Sequence, residues 1–105
     1  MTTRLIFALV SVLMLAAGTA QAGGDAARGA ELAVDCADCH GEDGMGDEDN
    51  PKLAGMDEAE QIAALKAFAS GERVDELEMM GDIASELSEQ DMADLAAHYK
   101  SLGGN

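Results

Sequence analysis

The sequence predicts an all-α domain of three to four short helices packed around one apolar body. Apolar residues recur at helical spacing in three stretches, each preceded by a side chain able to cap a helix N-terminus. No stretch alternates apolar and polar residues as a half-buried strand does, and no segment repeats. The third observation is Cys36-Ala37-Asp38-Cys39-His40, a C-x-x-C-H run at the end of the first helical stretch.

The chain opens with a short positive region, Met1-Thr2-Thr3-Arg4, followed by an apolar run from Leu5 to Ala17. That run is too short to cross a bilayer comfortably. Ala20-Gln21-Ala22 then offers small residues at a cleavage site, so residues 1–22 read as a secretory signal peptide removed after Ala22. Removing 22 of the 105 residues leaves 83, residues 23–105, as a single domain expected in the periplasm. No later segment has the apolar length of a membrane span, so no membrane insertion is expected once the leader is removed. A monomer is expected. A domain this small buries little core unaided and leans on staples. A disulfide between Cys36 and Cys39 would close a loop of two residues and constrain almost nothing.

The first helical stretch follows Asp25, a good N-cap, and runs to about Asp38. Gly29, Leu32, Ala33 and Cys36 fall on one face. Gly41 to Met56 is rich in Gly, Asp and Glu and holds the only proline, Pro51; it reads as a loop that needs something to wrap. The second stretch follows Asp57, with Glu60 as an acidic capping-box partner, a stripe of Ile62, Leu65, Phe68 and Ala69, and Gly71 as the stop. Glu72 to Gly81 is an acidic connection ending in Met79-Met80-Gly81, and connections of that length in small domains are often functional. A short helical turn is expected from Asp82 to Leu87. The last stretch follows Ser88, with Asp91 three residues on, and places Met92, Leu95, Ala96, Tyr99 and Leu102 on one face.

The C-x-x-C-H run reads as a covalent c-type haem attachment site. Cys36 and Cys39 supply thiols for thioether bonds to the vinyl groups, and His40 is placed to reach the iron as proximal ligand. A haem held in this way also provides the apolar body around which so short a chain can pack.

Residues 23–105 hold all 21 acidic residues against five basic ones (Arg28, Lys52, Lys66, Arg73, Lys100), a formal charge of −16. Nucleic acid and anionic membrane surfaces are poor partners for such a chain. A redox protein with a basic docking surface fits, through long-range steering, and so does a general adaptation to a saline habitat.

An iron with histidine on one side is closed by a second protein ligand or left open to gases and peroxide. A thioether favours the ferrous state over a second imidazole, so His/Met ligation raises the potential. Met92 sits on the core face of the last helix, Met45 lies too soon after His40, and Met56 directly precedes a helix cap. Met79 and Met80 stand in a loop that can carry a sulfur to the far side of the haem.

Taken together, these pieces resemble the class I c-type cytochromes, especially small bacterial monohaem carriers and the half-domains of periplasmic dihaem carriers. The resemblance runs from Asp25 to Leu102. It covers Gly29, Cys36 to Gly41, Pro51-Lys52-Leu53-Ala54-Gly55, Ser70-Gly71-Glu72-Arg73, Met79-Met80, Leu87-Ser88-Glu89-Gln90-Asp91 and Leu95-Ala96-Ala97-His98-Tyr99. It implies one covalent haem c, held by Cys36 and Cys39, with His40 as proximal ligand. The family's distal methionine precedes the Leu-Ser start of the last helix by a fixed short interval, which selects Met80, with Met79 as runner-up. Pro51 would offer its carbonyl to the other ring nitrogen of His40, and Gly29 would let the first and last helices cross beneath Tyr99. Lys52 and Arg73 are candidates to meet a haem propionate. His98 departs from the aromatic that many relatives carry there, and it is read as a surface residue.

The function implied is one-electron transfer, with no catalytic residue. Three other readings stay open. The same domain would serve as the cytochrome subunit of a larger periplasmic dehydrogenase, such as a flavocytochrome that oxidises sulfide. An open iron site would make it a sensor or an enzyme. A haem-free Cys-x-x-Cys oxidoreductase would need a βαβ pattern, which the sequence lacks.

Overall fold

Five α-helices and the loops between them make up residues 23–103, the part of the chain that the computed structural model describes: α1 (Ala26–Leu32), α2 (Val34–His40), α3 (Glu58–Ser70), α4 (Met80–Ser85) and α5 (Glu89–Leu102). Among the described residues there is no strand. The signal peptide expected at residues 1–22 lies outside them.

The helices start where their capping side chains predict. The Asp25 carboxylate accepts from the backbone N–H groups of Ala27 and Arg28, and Asp57 accepts from Glu60. Ser88 and Asp91 exchange both bonds of a capping box at the head of α5. At α3 the reciprocal bond from the Glu60 side chain is not made, so Asp57 works alone there. Gly71 stops α3 in the left-handed conformation at φ 86°, a backbone shape that glycine adopts without a Cβ penalty.

Two elements differ from the sequence reading, the first helical stretch and the short helical turn, which ends at Ser85 rather than Leu87. The first helix is two helices, broken at Ala33, where the Cys36 N–H reaches back only three residues to the Ala33 carbonyl. Apolar periodicity is nearly blind to one tightened turn. The second half then runs past Asp38 to His40, so both cysteines and the histidine ride on α2. The short helix begins at Met80 rather than Asp82 because the Asp75 carboxylate accepts from the N–H groups of Met79 and Met80. A cap reaching from five residues upstream leaves no local pattern.

The core is small: Ala33, Leu65, Ala84, Met92, Leu95 and Tyr99, with Leu32, Ile62, Phe68, Met80 and Leu87 packed against it. Leu102, expected on this face, is 37% exposed and outside the core cluster. α5 crosses α1 at Gly29, where a Cβ would stand 2.0 Å from the Asp94 carbonyl oxygen. Only glycine permits that approach. α3 packs on both α4 and α5, which leaves a gap between α3, α4 and the loop that follows α2.

A polar cluster around the buried Asp94 ties the two ends of the domain together. Asp94 is 1% exposed and accepts from the Asp25 N–H at 2.7 Å, from Arg28 Nη1 at 2.8 Å and from Gln90 Nε2 at 2.8 Å. Burial pushes its carboxyl pKa up, and these hydrogen bonds outweigh that and hold it below the ordinary range. Arg28 also meets Asp91 at 2.8 Å. The sequence reading missed this cluster. Its one trace is Asp91 and Asp94 three residues apart on a helix in a chain with few cations.

Candidate haem site

The gap between α2, α3, α4 and the intervening loops is a cavity of about 470 Å³, within the roughly 300–1,000 Å³ usual for small-molecule and cofactor sites. Its walls are mostly apolar, with Leu53, Met56, Leu65, Phe68, Ile83 and Leu95 prominent. Cys36, Cys39, His40, Met79 and Met80 all face into it.

α2 delivers three of these groups together. Residues 36, 39 and 40 stand at i, i+3 and i+4, one face of one helix. Cys36 is half-buried, Cys39 is exposed, and both are free thiols. Burial pushes the Cys36 thiol pKa up. His40 is buried, and its Nδ1 lies 2.9 Å from the Pro51 carbonyl oxygen. A carbonyl only accepts, so Nδ1 carries the ring proton and donates it. Nε2 is left with its lone pair, the form an imidazole needs to bind a metal.

The loop from Gly41 to Met56 is built to hold that carbonyl in place. The Gly46 N–H donates to the His40 carbonyl and the Asp47 N–H to the Asn50 carbonyl. Gly46 sits at φ 70°, and a Cβ there would come within 2.3 Å of the Asn50 oxygen and 2.7 Å of the Pro51 oxygen. Glycine is what allows the loop to close behind Pro51.

The two methionines differ in setting. Met79 is 51% exposed at the head of α4, whereas Met80, inside the first turn, packs against the core. Asp75 holds both backbone N–H groups, and those bonds keep its carboxyl below the ordinary range against the opposing effect of burial. Met56 lines the same cavity, Met92 is buried in the core, and Met45 is exposed away from the cavity.

Lys52 and Arg73 lie at the cavity wall. The Arg73 guanidinium stands 4.6 Å from the Phe68 ring centroid, a cation–π contact. Neither residue takes part in an ion pair among the described residues. His98 does not line the cavity; it packs edge-on against Tyr99 with ring centroids 4.8 Å apart. Several wall residues escaped the sequence reading, Ile83 and the one uncharged amide on α3 among them. Gln61 is buried in the cavity wall, and its place four residues before Leu65 on the apolar stripe was the available signal.

The donor set suits a haem. Apolar walls accept the macrocycle, two thiols on one helix face match two vinyl groups, and a fixed imidazole with a free Nε2 matches the iron. A thioredoxin-like use of the two cysteines would call for strands, and the described residues form none.

Comparison with known proteins agrees. The family described as Cytochrome c matches residues 26–103. The chain is 43% identical over 96 residues to cytochrome c4 of Pseudomonas aeruginosa, a match covering 89% of this chain and 47% of that protein. It is 38% identical over 80 residues to cytochrome c-554(548) of Halomonas halodenitrificans, covering 74% of this chain and 96% of that one. Among solved structures, cytochrome c4 of Acidithiobacillus ferrooxidans superposes with a TM-score of 0.68 at 33% identity, over 80% of this chain and 52% of that one. A thiosulfate dehydrogenase of Marichromatium purpuratum gives a TM-score of 0.70 at 32% identity, over 79% of this chain and 20% of that one. The chain thus spans about half the length of the cytochromes c4 it matches and nearly all of cytochrome c-554(548). Its single attachment motif accounts for one covalent haem c. With family match, relatives and fold in accord, the chain belongs to the cytochrome c family.

Proposed function

We propose that this protein is a periplasmic one-electron carrier in which His40 and Met80 are the axial ligands of the haem held by Cys36 and Cys39. The observation that carries this reading is the convergence of those four residues on one apolar cavity, with His40 oriented by the Pro51 carbonyl. Bound haem supplies an iron that cycles between ferric and ferrous states. The chain does the rest. Cys36 and Cys39 hold the group covalently, so it is retained through every cycle. Pro51 orients the ring of His40, and the short α4 with its Asp75 cap would hold Met80 where its sulfur can serve as the second ligand. The mostly apolar wall would leave few polar groups to rearrange when the charge changes. Support for export comes from the leader-like residues 1–22. Support for a basic redox partner comes from the formal charge of −16 on residues 23–105, in which 21 acidic residues face five basic ones.

The experiment is mass measurement and redox titration of protein recovered from the periplasm. The reading expects residues 23–105 plus one haem, and a reversible titration with the slope of a single electron. A colourless, disulfide-linked product would refute it.

A second reading has its own support. The thiosulfate dehydrogenase of Marichromatium purpuratum contains a stretch of the same fold within a much longer chain. By analogy this domain would be the cytochrome subunit of a larger dehydrogenase. A stable complex of fixed stoichiometry, purified from the native host, would favour it over a free carrier.

A further inference from the structure

Met79 and Met80 both line the haem cavity and stand one position apart. Consecutive residues of a helix point about 100° apart. A slip of one residue at the head of α4 would therefore exchange one thioether for the other. The two side chains carry the same donor atom, so their chemistry does not choose between them. The choice rests on the backbone that presents them.

α4 does little to fix that backbone by itself. It is six residues long, and a helix that short is marginal on its own. Its N-cap position is Met79, whose side chain makes no capping bond. The bonds come instead from Asp75. Its Oδ2 accepts from the Met79 N–H at 3.2 Å, and its Oδ1 accepts from the Met80 N–H at 3.1 Å. Its backbone carbonyl accepts from the Glu78 N–H at 2.9 Å. Three consecutive N–H groups thus converge on one residue. To make this turn Glu78 takes φ 59°, a left-handed conformation that residues with a side chain disfavour. Upstream, the Arg73 N–H donates to the Ala67 carbonyl and ties the loop to the end of α3. A slip of one residue would part each oxygen of Asp75 from its N–H and undo the turn at Glu78.

We propose that Asp75 is a positioning residue for the distal ligand: by holding the Met79 and Met80 N–H groups on separate oxygens, its carboxylate keeps Met80 on the iron and Met79 off it. This rests on the His40/Met80 reading above. The two oxygens also explain why a carboxylate serves better than an amide. Asparagine offers one acceptor oxygen, and its NH2 would meet the second N–H as donor against donor. Asp75→Asn therefore keeps one of the two side-chain bonds, and Asp75→Ala keeps neither.

The test is proton NMR of the haem-loaded protein in the ferrous state. A methionine bound to the iron holds its methyl group over the macrocycle, whose ring current moves that resonance far upfield. The unmutated protein is compared with Asp75→Ala, Asp75→Asn, Met79→Leu and the double variant Asp75→Ala, Met79→Leu. Asp57→Ala is the control, since it removes the cap of α3 at a residue outside the cavity wall. The unmutated protein, Met79→Leu and Asp57→Ala are expected to show one upfield methyl of full intensity. In Asp75→Ala that signal loses intensity to a second upfield methyl, which the double variant removes. Asp75→Asn shows the same second methyl more weakly. A single methyl of full intensity in Asp75→Ala would overturn the proposal. So would one that weakens with no second methyl, which would leave Asp75 a general support of the loop, and so would equal weakening in Asp57→Ala. Should Asp75→Ala fail to load haem, Asp75→Asn is read in the same way. The His40/Met80 reading fails on different signals, no upfield methyl in the unmutated protein or its loss in Met79→Leu, so the two failures are distinguishable.

Discussion

His40 Nδ1 and the Pro51 carbonyl oxygen stand 2.9 Å apart. That contact settles which ring nitrogen holds the proton, and it depends on Gly46, whose missing side chain lets the loop close behind the carbonyl. Replacing Gly46 with Ala strains a backbone at φ 70° and forces a Cβ against Asn50 and Pro51. The expected cost is about 3 kcal/mol of stability. Thermal unfolding of the haem-loaded variant checks the loss.

The ligand assignment predicts different outcomes for two adjacent substitutions. Met80→Ala removes the sulfur that packs inward, lowers the potential and opens the iron to external ligands. Met79→Ala removes a side chain that is half in solvent and does much less. Carbon monoxide binding and redox titration of both variants decide it. The opposite pattern would transfer the role to Met79.

Asp94 carries the stability of the α1–α5 crossing. Asp94→Ala removes the acceptor of the Asp25 N–H, the Arg28 guanidinium and the Gln90 amide and should cost about 1–3 kcal/mol. The pH dependence has a definite sign. The Asp94 and Asp91 carboxyls are held below their unfolded values of about 3.9. For Asp91 the causes are the Ser88 backbone bond first and Arg28 second. The stabilisation is therefore fully present above the unfolded value, and it is lost as pH falls through the folded values. Denaturant titrations between pH 7 and pH 2 should show a steep acid loss in the unmutated protein and a shallower one in Asp94→Ala.

The family resemblance implied a close approach at Gly29, and the geometry there is severe. A Cβ there lies 2.0 Å from the Asp94 oxygen and 2.9 Å from the His98 Cβ. Gly29→Ala should cost about 3 kcal/mol, because backbone meets backbone and neither yields cheaply. Equilibrium unfolding of the variant measures it.

Much of this architecture could be read from the chain itself. Helix starts at Asp25, Asp57 and Ser88 follow from capping chemistry, which is local. The attachment run at Cys36 to His40 is likewise compact and specific. What stayed hidden is non-local. The Ala33 break is one shortened hydrogen bond, the early start of α4 depends on a carboxylate five residues upstream, and Asp94 reads as an ordinary surface acid until Asp25 and Arg28 fold onto it. Gln61 reads as a polar helix residue until the cavity wall closes beside it.

The charge makes a kinetic prediction. If the 21 carboxylates steer a basic partner, electron transfer to that partner should slow steeply as salt rises from about 0.01 to 0.5 M. Stopped-flow rates across that range test it. A rate indifferent to salt, with stability that climbs with salt, would mark the charge as a habitat adaptation.

The most direct test of a closed His40/Met80 iron is an optical spectrum of the exported protein, oxidised, then reduced, then exposed to carbon monoxide at neutral pH. The account predicts a covalently retained haem, a thioether-to-ferric charge-transfer band and no change on adding carbon monoxide. Ready binding of carbon monoxide would contradict it, removing Met80 from the iron and making the protein an open-site sensor or enzyme.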